Sequence, residues 1–176
     1  MTIVNHIPTL TTPRLTLRPF TLADDISLHR IMNELNIMQY FPRTDPPDLE
    51  RVQTLIERQL MQYETYHLGW WAVVPQGQSD LIGWNGLQYL PETDEVEVAY
   101  LLSKQFWGRG YATEGAKASL KFGFETLGLM QIIGLTHPEN IASQNVLKKC
   151  GMHYTRQKEY FGMQLLRFIS RSSPNA

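Results

Sequence analysis

Apolar and polar residues alternate first in Arg14-Leu15-Thr16-Leu17-Arg18, which reads as a half-buried strand ended by Pro19. Thr21 stands where a helix N-cap belongs. The helix it opens is predicted to run to about Asn33, with Leu22, Ile26, Ile31 and Met32 available for burial. Asn36 to Pro47 is rich in turn and aromatic residues, including Tyr40, Phe41, Pro42, Pro46 and Pro47, and reads as a loop. From about Asp48 to Tyr66 the apolar positions Val52, Leu55, Ile56, Leu60 and Tyr63 return at helical spacing.

The pattern then changes to strands. Trp70 to Val74 is one, and Gln76-Gly77-Gln78-Ser79-Asp80 makes a hairpin turn after it. Leu81 to Tyr89 and Val96 to Leu102 are two more. Gly110 to Leu127 reads as a third helix stopped by Gly128, Gln131 to Thr136 as a strand, and Asn140 to Cys150 as a fourth helix ended by Gly151. His153 to Ser170 holds two final strands. This order predicts an α/β (α+β) fold: a mixed, largely antiparallel sheet of about seven strands flanked by four helices. No repeat, low-complexity stretch or linker interrupts it, so one domain over residues 1–176 is expected, with its core at about 12–170.

Composition narrows the partners. With 176 residues the chain can bury a sizeable core, and its net charge of −1 supplies no field for nucleic acid or an anionic membrane. No apolar run approaches the roughly 18–20 residues of a membrane span. Met1 to Leu10 lacks a basic start followed by a long apolar stretch, so no signal peptide is read there. The only cysteine, Cys150, has no partner for an internal disulfide, which suits a reducing cytoplasm. It sits in an apolar helical context with no His/Asp arrangement nearby, so it reads as a small core residue rather than a nucleophile. No metal site is expected.

The chemistry gathers around one turn. Val96 to Leu102 runs into Gln105-Phe106-Trp107-Gly108-Arg109-Gly110, and a helix opens directly afterwards. Backbone N–H groups at a helix N-terminus are unpaired, and the helix dipole adds partial positive charge, so such a turn suits an anion. Glycine at 108 and 110 lets the main chain approach phosphate oxygens, and Arg109 can add charge at the rim. Gly108, Gly110 and Gly115 do not match the dinucleotide spacing G-x-G-x-x-G, and the Lys-Ser/Thr of a P-loop is missing after Gly110. A second element lies downstream: Asn140 at an N-cap position, with Ser143 one turn on.

These segments resemble the GNAT superfamily of acetyltransferases, most closely the branch that includes the bacterial ribosomal-protein N-terminal (alanine) acetyltransferases. The resemblance runs from Thr12-Pro13-Arg14-Leu15-Thr16-Leu17-Arg18-Pro19 through Ile82-Gly83 and Glu97-Val98-Ala99-Tyr100. It continues through Trp107-Gly108-Arg109-Gly110-Tyr111-Ala112-Thr113-Glu114 to Asn140-x-x-Ser143 and Lys149-Cys150-Gly151-Met152. Two departures are Ala99, where the family often has Gly, and Met152, where it often has Phe. The resemblance implies acetyl-CoA as co-substrate and a primary amine as acceptor. Leu101, Leu102 and Ser103 would contact pantetheine through their main chain, one N–H polarising the thioester carbonyl. Gly108, Arg109, Gly110, Tyr111, Ala112 and Thr113 would hold the pyrophosphate. Asn140 would orient the cofactor arm or a water, Asn145 would add a contact from the same helix, and Ser143 would face the sulfur.

The acceptor amine must lose a proton, and two residues are candidates for taking it. Strand periodicity puts Glu95, Glu97 and Ala99 on one face and Val96, Val98 and Tyr100 on the other, which makes Glu97 the first candidate. His137, after the following strand, is the second. Tyr40, Phe41, Trp70, Trp71 and Trp84 are available to wall an acceptor cleft or to pack in the core. The acceptor itself stays open between a protein N-terminus and a small molecule such as a polyamine, an antibiotic amine or an amino acid. The acids Asp94, Glu95 and Glu97 keep the polyamine in view. A non-catalytic acyl-CoA-binding module is the competing class, and the chain is expected as a monomer or homodimer.

Overall fold

A computed structural model describes residues 7–172; the N-terminal reading over Met1 to Leu10 therefore falls largely outside the described residues. Eight strands form one sheet in the order β1-β2-β3-β4-β5-β6-β8-β7. In chain order they are β1 (Leu10–Thr11), β2 (Leu15–Pro19), β3 (Trp70–Pro75), β4 (Gly83–Leu90), β5 (Glu95–Leu102), β6 (Gln131–Thr136), β7 (His153–Tyr160) and β8 (Met163–Arg171). All neighbours pair antiparallel except β5 and β6. The fold is the expected mixed sheet. The extra strand is β1, whose two residues are too few to show periodicity.

Four α-helices cover the sheet: α1 (Asp25–Met32), α2 (Leu49–Tyr66), α3 (Tyr111–Lys121) and α4 (Ile141–Lys149). α1 and α2 pack on the face carrying Trp70, Ala72, Val74, Trp84 and Leu101. Residues of α3 and α4, including Ala116, Leu120 and Leu147, pack with Leu17, Trp71, Leu87, Val98, Ile132 and Phe168. Ala99 belongs with the first set, and Val96, Val98 and Tyr100 with the second, as the alternation in β5 predicts. Among the described residues, no helix is long and apolar enough to cross a membrane.

The first helix departs from its predicted form. Leu22–Asp24 is a 3₁₀ turn, and regular helix begins only at Asp25. The turn is held by Asp24, whose carboxylate accepts from Arg18 at 2.7 and 2.9 Å and from the Thr21 N–H at 2.8 Å. The tighter turn changes the helical phase. Leu22 and Ile26 stay exposed, while Leu28 joins Ile31 and Met32 in the core. The third helix also ends differently: regular α-helix stops at Lys121 and Phe122–Thr126 widens into a π-turn before Gly128. α2 starts as predicted, with the Asp48 side chain capping the Arg51 N–H at 2.9 Å.

Candidate active site

A cleft of about 800 Å³ opens where β5 and β6 part. Their ladder is paired at one register position, Glu97 opposite Ile133. Beyond it, Ala99 to Leu102 have no register partner on that side among the described residues. The Ser103 N–H reaches the Ile82 carbonyl at the β4 side, 2.8 Å away. Strand alternation then turns the main chain of Tyr100 and Leu102 toward the gap. The Leu102 carbonyl is taken there by the Trp107 indole N–H at 2.6 Å, while the Leu102 N–H, like that of Tyr100, is turned to the gap.

The turn that follows is built from left-handed backbone. Gly108 has φ 73° and Gly110 φ 79°, and Gly110 is the N-cap of α3. A Cβ at Gly108 would meet open space, and one at Gly110 only an Arg14 nitrogen at 3.3 Å. It is the backbone angle, more than crowding, that calls for glycine here. No side chain caps α3, so the N–H groups of Tyr111, Ala112 and Thr113 keep their free ends.

An anchor for this turn comes from the far end of the sequence. Arg14 donates from Nη1 to the Arg109 carbonyl at 2.8 Å and from Nε to Glu114 at 2.7 Å, and its ring partner is Tyr111 at 4.8 Å. Glu114 also accepts from the Thr12 hydroxyl at 2.6 Å and the Arg14 N–H at 2.9 Å. Burial works against the Glu114 carboxylate, yet these bonds hold its pKa below the ordinary value. The sequence reads Arg14 as a strand charge with at most a role toward the acceptor, and gives Thr12 no role beyond the resemblance. Their partner lies about a hundred residues away, and only the resemblance hinted that both segments matter.

Glu97 is buried, and its Oε2 accepts from Gln88 Nε2 at 2.6 Å. Burial pushes its carboxyl up to about 7; the Gln88 bond and the Leu135 backbone amide oppose the rise. It lines the cleft together with Tyr100, Leu101, Leu102, His137, Asn140, Ser143 and Asn145, and with Gly108 and residues 110–113. Two sequence candidates do not line it. The Arg109 side chain lies over the Phe106 ring at 5.6 Å, and Ser103 is buried with its N–H already spent on Ile82.

His137 stacks on Tyr40 at 5.3 Å, and its Nδ1 accepts the Glu139 N–H at 3.2 Å. With Nδ1 engaged, Nε2 is the ring nitrogen left to meet another group. Asn140 caps α4 by accepting the Ser143 N–H at 3.1 Å, which fixes Ser143 at the helix entrance. Asp94 and Glu95 point away from this chemistry. Asp94 takes the Tyr89 hydroxyl at 2.8 Å, while Glu95 pairs with Arg167 at 2.6 Å and with Tyr160 at 2.8 Å. Cys150 places Sγ 3.7 Å from the Thr113 carbonyl, and burial pushes its thiol up to about 11. Trp71 packs edge-on against Phe122 in the core, whereas Tyr40, Phe41, Trp70 and Trp84 do line the cleft.

A sequence model of the acetyltransferase (GNAT) domain matches residues 14–153. The chain belongs to the GNAT acetyltransferase family. Membership places it among the acyltransferases. A curated relative, the FsC-acetyl coenzyme A-N(2)-transacetylase of Aspergillus fumigatus, is 34% identical over 160 residues. That match covers 82% of this chain but only 65% of the fungal protein, so the chain spans a little under two thirds of that relative's length. Among solved structures, an acetyltransferase from Agrobacterium tumefaciens superposes with a TM-score of 0.84 at 27% identity, covering 98% of this chain and 99% of that one. The ribosomal L7/L12 alpha-N-protein acetyltransferase RimL, solved in complex with coenzyme A, superposes with a TM-score of 0.79, covering 94% and 97%. At 15% identity that last likeness is one of fold. In GNAT terms, the β5–β6 gap and the Gly108–Gly110 turn lie within the matched residues, as do Glu97 and Ser143.

Proposed function

We propose that this protein is an acetyl-CoA-dependent N-acetyltransferase that moves the acetyl group directly onto a primary amine. The observation that carries the reading is the meeting, in one cleft, of a buried carboxyl, a helix-entrance hydroxyl and an uncapped helix N-terminus. Residues 12–170 act as one catalytic domain in this reading.

The residues fit acetyl-CoA on two counts. The open, left-handed turn at Gly108 and Gly110 presents backbone N–H groups to phosphate, and the unpaired edge of β5 offers an extended amide chain its ladder. When bound, acetyl-CoA supplies an acetyl thioester and a thiol leaving group. The N–H groups of residues 108 and 110–113 bind its pyrophosphate. The Leu102 N–H stabilises negative charge building on the carbonyl oxygen. Glu97 accepts the amine's proton, and its carboxyl near 7 is poised for that exchange at neutral pH. Ser143 donates toward the sulfur. Asn140 orients Ser143, and Asn145 and the Arg109 backbone complete the rim. His137 shapes the cleft beside Tyr40. No covalent acetyl-enzyme is required, because Cys150 faces the Thr113 carbonyl rather than the cleft.

For the acceptor, the cleft carries aromatic rings and two acids, Glu97 and Glu139, in place of the Asp94–Glu95–Glu97 cluster, since Asp94 and Glu95 are bonded elsewhere. That argues against a polyamine. A peptide N-terminus of the ribosomal-protein type suits the reading, and the fold shared with RimL supports it. A small-molecule amine is the second reading, supported by the 34% identity to the fungal N(2)-transacetylase. A cytosolic setting suits its single unpaired thiol. The test is an acceptor screen with acetyl-CoA, reading thiol release against N-terminal peptides, polyamines, aminoglycosides and amino acids. Release with some amines but not polyamines is expected, with no mass adduct from acetyl-CoA alone. Tight CoA binding without release for any amine would mean a silent binding module.

A further inference from the structure

Ser143 does not stand alone in the cleft. Its Oγ lies 2.9 Å from the phenol oxygen of Tyr100 on β5, and the same phenol is within reach to donate to the Ser143 carbonyl at the longer distance of 3.2 Å. Tyr100 reaches across the opening between β5 and α4 to make this contact, and both residues line the cleft. Two hydroxyls hold two hydrogens between them. If Ser143 gave its hydrogen to Tyr100, the phenol hydrogen would go to the Ser143 carbonyl, and neither would be left for a sulfur. If Tyr100 gives its hydrogen to Ser143 Oγ, the serine hydrogen is free to turn into the cleft, and the incoming bond polarises it.

We propose that Tyr100 is a positioning residue for acetyl transfer: its phenol donates to Ser143 Oγ and so frees the serine hydrogen for the departing sulfur. The inference rests on the reading of Ser143 as the sulfur's partner. No proton passes through Tyr100. The C–N bond forms as the C–S bond breaks, the amine proton goes to Glu97, and the sulfur leaves as a thiolate hydrogen-bonded to Ser143. Burial raises the phenol pKa well above its ordinary value, with Glu97 and Cys150 adding to the rise, so Tyr100 stays a donor throughout the working range. The aromatic ring also packs against the sheet core, which a phenylalanine would preserve.

The experiment is a double-mutant cycle. Tyr100→Phe is expected to lower kcat roughly 10-fold, the scale of one hydrogen bond to a charged centre, with acetyl-CoA KM within about twofold. Ser143→Ala is expected to lower kcat at least as much, and adding Tyr100→Phe to it should change nothing further. Ser143→Thr keeps a hydroxyl for Tyr100 and should retain most of the rate, with Tyr100→Phe costing the same factor in that background. The inference is overturned if Tyr100→Phe leaves kcat unchanged. It is equally overturned if that substitution costs as much in the Ser143→Ala background as in the wild type, or acts only on melting temperature and KM. If Ser143→Ala itself leaves kcat unchanged, the reading of Ser143 falls, and the role of Tyr100 falls with it.

Discussion

Two stretches of the cleft wall are made differently. From Leu102 to Thr113 the wall is main chain: glycines at positive φ, an uncapped helix end, and an unpaired strand edge. From Ile37 to Pro42 and across Trp70 and Trp84 it is side chain, with two indoles stacked at 3.7 Å and Phe41 edge-on to Trp84 at 6.3 Å. The first stretch is the donor wall of the proposed reaction and the second its acceptor wall. A donor common to a whole family can be held by groups every residue carries, arranged by a few obligatory glycines. An acceptor that differs between members has to be recognised by side chains.

Glu97 sits at the border, and changing it should have the largest effect. Glu97→Gln is expected to lower kcat/KM for the amine by about 10²–10⁴-fold at pH 7 to 8. It should also abolish the acidic limb near pH 7 that is expected in the pH–rate profile of the unmodified enzyme. Stability should move the other way. The folded pKa of about 7 lies above the ordinary 4.5, so the folded state holds the proton more tightly. That contribution is complete below pH 4.5 and is lost as pH rises to about 7, up to about 3 kcal/mol. Thermal melts should therefore show Glu97→Gln gaining on the wild type between pH 5 and pH 8. A loss of melting temperature at both pH values would mean a structural carboxylate.

On the donor wall, Gly110→Val forces a β-branched residue to φ 79°. The strain, about 1–3 kcal/mol, should weaken CoA binding by roughly 10-fold in a protein that still folds. Unchanged affinity by titration calorimetry would remove the turn from the site. Arg14→Ala should act more gently, because the Arg14 side chain is 49% exposed and its ion pair is screened. A loss of about threefold in CoA affinity is expected, with kcat at saturating donor unchanged. Arg14→Lys should not restore it, since one ammonium cannot replace a fork that reaches both Glu114 and the Arg109 carbonyl. The smallest effect belongs to the acceptor wall. Phe41→Ala should raise amine KM a few-fold and leave CoA affinity untouched; a change in CoA affinity would erase the distinction between the walls.

The same contrast explains what was legible in the sequence. Gly108, Gly110 and the Asn140 cap are local requirements of backbone geometry, so they show as residue types at fixed spacing. The faces of β5 follow from alternation alone. What stayed hidden depends on partners far along the chain. Glu95 and Glu97 share a face by period, yet Arg167 and Tyr160 from the last two strands neutralise one and Gln88 meets the other. Tyr100 finds Ser143 across 43 positions, and Arg14 finds Arg109 across 95. Leu22 and Ile26 fit a helical pattern, but the Arg18–Asp24 pair tightens the turn that holds Leu22 and precedes Ile26, and so shifts the phase.

The single register pair between β5 and β6 also makes the sheet a seam. On one side lie β1 to β5, on the other β6, β8 and β7, and their backbone hydrogen bonding is joined at Glu97 and Ile133. A ligand lying along the free edge of β5 would act as a suture between two half-sheets. Substrate loading would then be partly a folding event. Hydrogen exchange at the Leu102 amide should slow on adding CoA, and the melting transition should sharpen as the halves begin to unfold together. The enzyme would be mechanically weakest when idle, with its softest line running through the residue proposed to take the proton.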